Sequence, residues 1–489
     1  MRMGGARNRA ILALLPIIAG LLGVASFRAM RLAAPGGYET PATDAATGAA
    51  IGATLADMVR LKTISRENDP AADAARAAAH AELAALLRDA YPNVHRALER
   101  EVVGDGSLAF RWLGPPNTDE KPIALLAHLD VTPADDPDGR WSRPPFSGEI
   151  VAGAVWGRGT LDDKGSAAAI LHAVERLLEI GVAPSRDVYL LFGHDEEVGG
   201  EGARAMAALL ERRGVRLAFT LDEGSGLVRE AGAPVALIAV AEKGYATLKL
   251  SATGAGGHSS TPRAQTAVSR VARAVSALTD NPYPIELDAN GARFLRALAR
   301  ERDFVQRFAL GNLWLMGGLA KGQIAKDPPV AAFFRTTTAA TVISGGVKSN
   351  VLPTAAEALV NFRLHPRDAV DEVLARAERL IDDPEVTIEL VEGTDPSPTS
   401  STASAGYRAM VAATRRVYGD VATAPALTIG ATDTRHYVGL ADDHYRFLPF
   451  VFELSDLRRI HGVDERVSLD NLARAAAWYE AFLREAAGG

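Results

Sequence analysis

The chain has 489 residues, of which 48% are hydrophobic, 6% aromatic and 23% charged. This composition is typical of a soluble globular protein and excludes whole-chain disorder, a collagen-like fibre and a polytopic membrane protein. The 53 basic and 60 acidic residues leave a net charge of −7, which disfavours a general nucleic-acid binder. There is no cysteine, so disulfides and thiolate metal sites are excluded and any metal must be held by histidine and carboxylate side chains.

Arginines bracket an apolar run near the N-terminus, Ile11–Phe27. A helix of this length is just short of a typical hydrocarbon core, which leaves open a cleaved secretory signal and an uncleaved signal anchor. We favour the anchor because the large residue Phe27 stands where a cleavage site needs a small one. More arginines precede the run than follow it, which favours a cytoplasmic N-terminus. We therefore expect an exported chain that residues 1–49 anchor to the membrane, facing the periplasm or exterior, or a secreted chain if this segment is cleaved.

From about residue 50, short apolar runs alternate with helical stretches. We predict strands over 122–129, 187–192, 216–221 and 235–241, and helices over 71–90, 165–180 and 200–213. This alternation predicts an α/β fold, with a mostly parallel sheet that is covered by helices on both faces. We assign residues 50–244 and 394–489 to this large domain, and its second part ends in an amphipathic helix over 470–487.

The pattern changes between residues 245 and 393. Strands are predicted over 247–251, 335–343, 357–364 and 386–391, and helices over 264–278 and 368–381. The order strand, helix, strand, strand, helix, strand is the ferredoxin-like arrangement, so we predict a small inserted α+β domain. An extra stretch near 281–334 follows its first helix, and we expect a helical elaboration that packs on the small domain.

Polar side chains follow three predicted strands of the large domain. His128 and Asp130 end the first and share one face, so Asp130 is placed to accept a hydrogen bond from a metal-bound His128. Glu196 and Glu197 follow the second strand, and Asp222 follows the third. Because ligands bind outside the carboxyl ends of such strands, we expect these residues to converge, although each alone fits a structural role as well.

Two further elements supply similar side chains. Asp162 lies in the glycine-rich loop 157–165, whose spacing does not match a nucleotide-binding loop. An aspartate here suits a divalent cation, and a helix cap is the alternative. His461 adds an imidazole near the C-terminus. Together the five elements predict a divalent cation site.

In this order the motifs resemble the co-catalytic di-zinc exopeptidases and amidohydrolases, the zinc-dependent aminoacylase/carboxypeptidase family. The resemblance covers nearly everything from residue 50 onward. It is closest to the branch that contains yeast carboxypeptidase S and the secreted N-fatty-acyl-amino-acid synthase/hydrolase. This closer resemblance rests on four sequence motifs: WSRPPFSG at 141–148, GRGTLDDKG at 157–165, RTTT at 335–338 and RIHGV at 459–463.

The resemblance implies two Zn²⁺ ions per chain, for which Mn²⁺ or Co²⁺ could substitute. His128 and Asp222 would complete one metal site and Glu197 and His461 the other, while Asp162 would bridge the two ions. It also implies a cis peptide bond after Asp162. Asp130 would orient His128. Glu196 would be the general base: it takes a proton from a water that the two ions share, and returns it to the leaving amine.

The same resemblance implies that the small domain completes the site. His258 would stabilise the tetrahedral oxyanion, and in dimeric relatives this histidine comes from the partner subunit. A homodimer is therefore one expectation, and the alternative is that the large insert blocks or replaces this pairing of small domains. Asn350 and Arg363 would hold the free carboxylate of the substrate, a task that suits a guanidinium because it binds carboxylate bidentately. From the residues alone, a turn with a solvent-facing His258 and a surface salt bridge of Arg363 are the alternatives.

These expectations point to a small-molecule substrate and an amidohydrolase that cleaves, and could also form, the amide bond of N-acyl amino acids with long acyl chains. The alternative is a carboxypeptidase or dipeptidase on small peptides such as Gly-X, and a remote one is a non-catalytic binding protein on this fold.

Apolar residues of the insert would wall an acyl channel or simply form the insert's own core, namely Phe294, Leu295, Phe304, Phe308, Leu313, Trp314 and Leu315.

Overall fold

The computed structural model describes residues 19–33, 38, 40–67, 69–136, 138–230, 232–453 and 455–488. The predicted N-terminal apolar run, Ile11–Phe27, begins outside these ranges. The described residues 19–32, which include the end of this run, are helical. Within the described ranges, no helix combines the length and the apolar composition that crossing a membrane would need.

A mixed eight-stranded sheet forms the large domain, in the order β1-β2-β6-β3-β7-β16-β8-β15. Its strands are β1 (Glu99–Val103), β2 (Ser107–Trp112), β3 (Ile123–His128), β6 (Val188–Gly193), β7 (Leu217–Arg229), β8 (Val235–Glu242), β15 (Ala422–Thr428) and β16 (Ala441–Glu453). β3 is parallel to β6 and β7, and β16 is parallel to β7, so the carboxyl ends of the central strands meet at one edge.

Helices cover both faces of this sheet. They are α1 (Ala45–Arg60), α2 (Pro70–Ala90), α3 (Pro92–Ala97), α4 (Lys164–Glu179), α5 (Glu201–Arg212), α12 (Ala405–Tyr418) and α13 (Leu469–Ala487). Alternate residues of β3 face opposite cores: Leu125 packs with the helices α1, α4, α12 and α13, whereas Leu126 packs with α5. The alternation of apolar runs and helices predicted this two-sided α/β fold, which is confirmed.

The small domain is built on a four-stranded antiparallel sheet in the order β11-β13-β9-β14. Its strands are β9 (Gly244–Thr253), β11 (Thr337–Gly345), β13 (Ala355–Leu364) and β14 (Val386–Thr394). Helices α6 (Ala267–Thr279) and α11 (Val370–Ile381) pack on it around a separate apolar core. Element order and strand order are those of the predicted ferredoxin-like arrangement.

Two smaller sheets complete the fold. In the small domain, β10 (Gly257–His258) pairs with β12 (Val351–Leu352). In the large domain, β17 (Arg466–Ser468), β5 (Ala154–Trp156) and β4 (Glu149–Val151) form a three-stranded sheet. Through β17 and β5, the segment after His461 lies beside the strand that leads into the loop of Asp162.

The third predicted strand differs from the expectation. It was predicted to end at Leu221, but β7 runs on to Arg229 and turns back into β8, with Leu227 opposite Ala236. A side chain at Gly226 would collide with the Phe452 ring and the Leu448 carbonyl, since its Cβ would lie 2.6 Å and 2.8 Å from them. Beyond Asp222 the strand runs through residues that do not form an apolar run. The sequence pattern therefore did not predict this part as strand.

The helical insert is present but packs elsewhere than expected. Its helices are α7 (Ala289–Ala299), α8 (Phe304–Gly311), α9 (Leu313–Ile324) and α10 (Pro328–Ala331). The prediction that it packs on the small domain is wrong: its buried side chains, Phe294 and Leu295 among them, share an apolar core with β8 and β15. The reason is that this end of the large sheet has an apolar face, formed by residues such as Leu237 and Ala424, that the insert covers.

Candidate metal centre

Histidine and carboxylate side chains meet at the carboxyl edge of the central strands. His128 is the last residue of β3, and Glu196 and Glu197 lie in a short 3-10 turn after β6. Glu223 lies within β7, and His461 comes after β16. Because β3, β6, β7 and β16 run parallel, residues far apart in the sequence arrive at the same place.

Asp162 lies between the two histidines. Its Oδ1 is 2.8 Å from His128 Nε2, and its Oδ2 is 2.9 Å from His461 Nε2. His461 Nε2 also lies 3.1 Å from a carboxylate oxygen of Glu197. His128 is buried, whereas the side chain of His461 is 52% exposed. One carboxylate thus faces two imidazoles through its two oxygens, as expected of a residue that bridges two cations.

The carboxylate beside His128 on β7 belongs to Glu223 and not to Asp222. Glu223 Oε1 lies 3.6 Å from His128 Nε2, and one ligand atom each from His128, Glu196 and Glu223 lie within 4.8 Å of one another. Asp222 Oδ2 instead accepts hydrogen bonds from the backbone N and the Oγ1 of Thr434, at 2.9 and 2.7 Å. The structure therefore places Glu223, rather than the expected Asp222, beside His128, because the Asp222 carboxylate is turned towards Thr434.

Asp130 holds the first strand end to the second. One of its carboxylate oxygens lies 3.3 Å from His128 Nδ1 and accepts a hydrogen bond from the backbone N of Glu196 at 3.0 Å. The other accepts hydrogen bonds from Ser65 Oγ at 2.6 Å and from Glu197 N at 3.3 Å. The carbonyl of Asp130 also lies 3.1 Å from His128 Nδ1, so the fully buried Asp130 fixes the His128 ring through its carbonyl and carboxylate, and its carboxylate holds the turn that carries both glutamates.

The loop of Asp162 is held by Glu465, a residue that the sequence analysis missed. The buried Glu465 Oε1 accepts hydrogen bonds from the backbone N of Gly159, Leu161 and Asp162, at 3.0, 2.8 and 3.3 Å. Its other oxygen pairs with Arg158 at 2.6 Å. The peptide bond between Asp162 and Asp163 is cis, as the resemblance implied. Glu465 follows His461 closely in sequence, but an isolated glutamate in a loop carries no recognisable signal.

The electrostatics of this cluster suit divalent cations. Burial raises the pKa of Glu196 to about 8, and the charges of Asp130, Asp162 and Glu197 act in the same direction. Burial also raises the pKa of Glu223 well above its usual range. Hydrogen bonds to Asp162 and Glu197 raise the pKa of His461 to about 10. Carboxylates this close repel one another unless positive charge lies between them, and imidazole and carboxylate are the donors that zinc accepts. The residues therefore fit metal ions.

A cavity of about 480 Å³ adjoins the cluster. Asp162, Glu196, Glu223 and His461 line it together with apolar side chains that include Leu237, Phe333, Leu448, Phe452 and Ile460. A volume in this range is typical of small-molecule sites. None of the insert residues that were expected to wall an acyl channel lines this cavity. The insert contributes Phe333 instead.

The three predicted residues of the small domain lie apart from this cluster in the contacts that the structure describes. His258 is exposed on β10, and its Nδ1 lies 2.7 Å from Ser260 Oγ. Asn350 is close to it, since the Asn350 carbonyl accepts a hydrogen bond from Ser259 N at 3.2 Å. Arg363 is exposed on β13, with its guanidinium 5.8 Å from the centre of the Tyr245 ring.

Lys243 is a second residue that the sequence analysis did not single out. It lies between the large and small sheets, and its Nζ donates a hydrogen bond to the carbonyl of Arg335 at 2.8 Å. Burial lowers the pKa of Lys243 to about 7, and the positive charges of Arg363 and Arg335 lower it further. Cationic side chains therefore cluster where the chain passes from one domain to the other.

The sequence is similar to known proteins over most of its length. The sequence profile described as peptidase family M20/M25/M40 matches residues 124–485. The chain is 39% identical over 404 residues to a probable carboxypeptidase S-like 2 of Dictyostelium discoideum, covering 81% of this chain and 77% of the relative. It is 40% identical over 405 residues to the N-fatty-acyl-amino acid synthase/hydrolase PM20D1.1 of Danio rerio, covering 81% and 78%.

The fold is shared with solved members of this family. The M20 family metallo-carboxypeptidase Sso-CP2 from Sulfolobus solfataricus superposes with a TM-score of 0.65 at 20% identity, covering 89% of this chain and 98% of that one. The resemblance that the motifs carried is thereby confirmed. This chain belongs to peptidase family M20/M25/M40 and is a hydrolytic enzyme.

Proposed function

We propose that this enzyme hydrolyses, and in the reverse direction forms, the amide bond of N-acyl amino acids with long acyl chains. The observation that carries the proposal is the cavity beside Asp162, Glu196 and His461, because most of its other lining side chains are apolar. An acyl chain gains about 25 cal/mol for each Å² of apolar surface that such a wall removes from water. The name of the Danio rerio relative supports the same substrate class.

Two zinc ions are the proposed cofactor. His128 and Glu223 would hold one ion, Glu197 and His461 the other, and Asp162 would contact both, which agrees with the distances among these side chains. Bound there, divalent cations lower the pKa of a water and polarise an amide carbonyl. Zinc is the default for imidazole and carboxylate donors, and manganese or cobalt could replace it.

Glu196 is the proposed general base. Its carboxylate lies among the cluster residues and is not needed to hold either ion in this assignment. It accepts a proton from the attacking water, whose oxygen bonds to the amide carbon. As the carbon–nitrogen bond breaks, Glu196 donates that proton to the leaving nitrogen, so that a fatty acid and a free amino acid result. Asp130 supports both steps because it holds the backbone of Glu196 and orients His128.

The carboxylate of the amino acid would bind to the small domain. Arg363 and Asn350 are the proposed contacts, and Arg335 adds a second positive charge to that of Arg363 in the surroundings of Lys243. We also propose that the N-terminal apolar run anchors the exported enzyme to the membrane, for which the flanking arginines are the support.

Replacing the proposed base is the first test. Glu196→Gln keeps the size of the side chain but cannot accept the proton, so we expect kcat to fall by about 10²–10⁴ while the metal content stays unchanged. Glu201→Gln, an exposed glutamate that pairs with Arg204 at the start of α5, is the matched control and should keep wild-type kcat. Near-normal turnover of Glu196→Gln would contradict this role.

Metal content distinguishes the two candidate ligands on β7. We expect Glu223→Ala to bind less zinc than the wild type, because a carboxylate beside His128 is lost. Asp222→Asn should keep its zinc, since its carboxylate faces Thr434. Elemental analysis of both purified variants measures this directly, and zinc loss in Asp222→Asn alone would restore the assignment made from the sequence.

The length of the acyl chain tests the proposed substrate. We expect kcat/KM to rise from N-acetyl to N-oleoyl amino acids, because each buried CH₂ contributes up to about 0.8 kcal/mol in the apolar cavity. A series of acyl lengths on one amino acid, with Gly-X dipeptides alongside, makes the comparison. Equal rates across the series would exclude an acyl-binding wall, and faster cleavage of the dipeptides would favour the peptidase alternative.

The exposed position of His258 supports a homodimer in which this residue acts on the partner's site. Mixing His258→Ala with Glu196→Gln should then restore about a quarter of wild-type activity, because half of the dimers are mixed and each has one intact site. Neither variant should be active by itself. If the mixture after subunit exchange stays inactive, His258 acts within its own chain or has no catalytic role.

A further inference from the structure

We infer that the N-terminal helical residues 19–32 and helices α8 and α9 together form a surface that docks into the interface of a phospholipid bilayer. This surface is called the apolar docking face below. It is separate from the metal centre, and the inference goes beyond the proposed hydrolysis and does not depend on it. It concerns the folded body of the enzyme, in addition to any anchor formed by the N-terminal run.

The N-terminal helical residues are fixed on the insert by buried polar contacts. The buried Asn312 side chain, between α8 and α9, donates hydrogen bonds to the carbonyls of Ala25 at 3.0 Å and Phe308 at 2.9 Å. Arg307 Nε donates to the carbonyl of Ala29 at 3.2 Å. Ala25 and Ala29 are themselves completely buried. The two segments therefore form one unit.

A side-chain contact supports the same conclusion. The tip of the Leu32 side chain lies against Gly311, the last residue of α8, so closely that a Cβ atom at this glycine would be 2.4 Å from Leu32 Cδ1. Replacing Gly311 by alanine would therefore force the Leu32 side chain to move. The N-terminal helical residues thus pack closely on the insert.

Both segments also expose large apolar side chains. On the N-terminal helical residues these are Leu21, Leu22, Val24, Phe27 and Met30. On α8 and α9 they are Phe304, Val305, Trp314, Leu315 and Leu319, of which Val305 is 74% and Leu319 59% exposed. Single exposed apolar residues are ordinary, but a group of this size on two packed segments marks an interaction surface.

The charge pattern selects a lipid surface as the partner. Residues 1–37 and 304–326 contain no aspartate or glutamate, although the whole chain has a net charge of −7. Among the described residues of these segments, the exposed charged side chains are cationic, namely Arg28, Arg31, Lys321 and Lys326. Exposed cations together with apolar side chains suit a surface of anionic head groups above hydrocarbon.

The continuation of the chain favours a bilayer over a protein partner. In the sequence the apolar run extends from Phe27 back to Ile11, so residues outside the described ranges continue the hydrophobic segment that starts on this face. Trp314 belongs to the exposed group, and tryptophan is enriched at membrane–water interfaces. A bilayer suits both features, because its hydrocarbon accommodates apolar sequence and its interface favours tryptophan.

Site-directed spin labelling tests the inference with the full-length enzyme. Because the chain contains no cysteine, Val305→Cys, Leu319→Cys and Val347→Cys each create one labelling site. Val347 is 99% exposed in the small domain and serves as the matched control. Each labelled enzyme is reconstituted with vesicles of phosphatidylcholine and phosphatidylglycerol, and the collision rates of the label with oxygen and with a water-soluble nickel chelate are measured.

We expect vesicles to raise the ratio of oxygen to nickel collisions at 305 and 319, because both labels enter the apolar phase, and to leave it unchanged at 347. If the three ratios remain alike in vesicle-bound enzyme, the inference is overturned, even if an N-terminal anchor holds the enzyme on the vesicle. Dipolar broadening at 305 or 319 without lipid would overturn it in favour of a second copy on this face. Circular dichroism checks the fold of each variant, and because no step requires turnover, the result is independent of the proposed hydrolysis.

Discussion

The contact of one carboxylate with two histidines organises the site and much of the fold around it. Asp162 faces His128 and His461 through its two oxygens, and these residues come from the loop before α4, the end of β3 and the segment after β16. None of these three pieces of chain could shift by an ångström without losing a distance near 2.9 Å. The buried acids Asp130 and Glu465 serve this arrangement, since each uses its carboxylate to hold backbone N–H groups next to the cluster. Structural acids therefore surround the acids that face the cavity.

The parallel centre of the sheet explains why such distant residues can meet. Strands that run side by side in one direction end at one edge, and helices on both faces close the apolar parts away from water. The two cores on either side of β3 show the consequence, because neighbouring residues of one strand belong to different cores. The same alternation separates Asp222 from Glu223, directing one carboxylate to Thr434 and the other to His128.

The sequence was sufficient to predict the architecture and the strand ends that carry site residues. It was insufficient where the position of a residue depends on the path that the backbone takes through a loop or beyond an apolar run. Buried strands such as β3 and β6 are recognisable in the sequence as apolar runs. The polar residues directly after them indicate the carboxyl edge of the sheet. The difference between Asp222 and Glu223 lies in their tertiary contacts with Thr434 and His128, and no apolar run predicts these contacts. The role of Glu465 depends on a loop returning beside Asp162, and such a tertiary contact leaves no local pattern. The packing of the insert on β8 and β15 likewise depends on which part of the sheet edge the other helices leave uncovered.

The insert shows how one segment can satisfy two environments. Its first helix, α7, covers the apolar face of β8 and β15 and so becomes part of the large domain. Its next helices, α8 and α9, lie farther along the chain, where they bind the N-terminal helical residues through Asn312 and still expose large apolar side chains. A helix that only had to cover the sheet would carry polar residues on its outer side, because an exposed apolar face gains nothing in water. The outer face of α9 instead carries Trp314, Leu315 and Leu319, and the charged residues between positions 313 and 326, Lys321 and Lys326, are cationic. Folding of the large domain alone does not account for that composition, whereas contact with a lipid surface does.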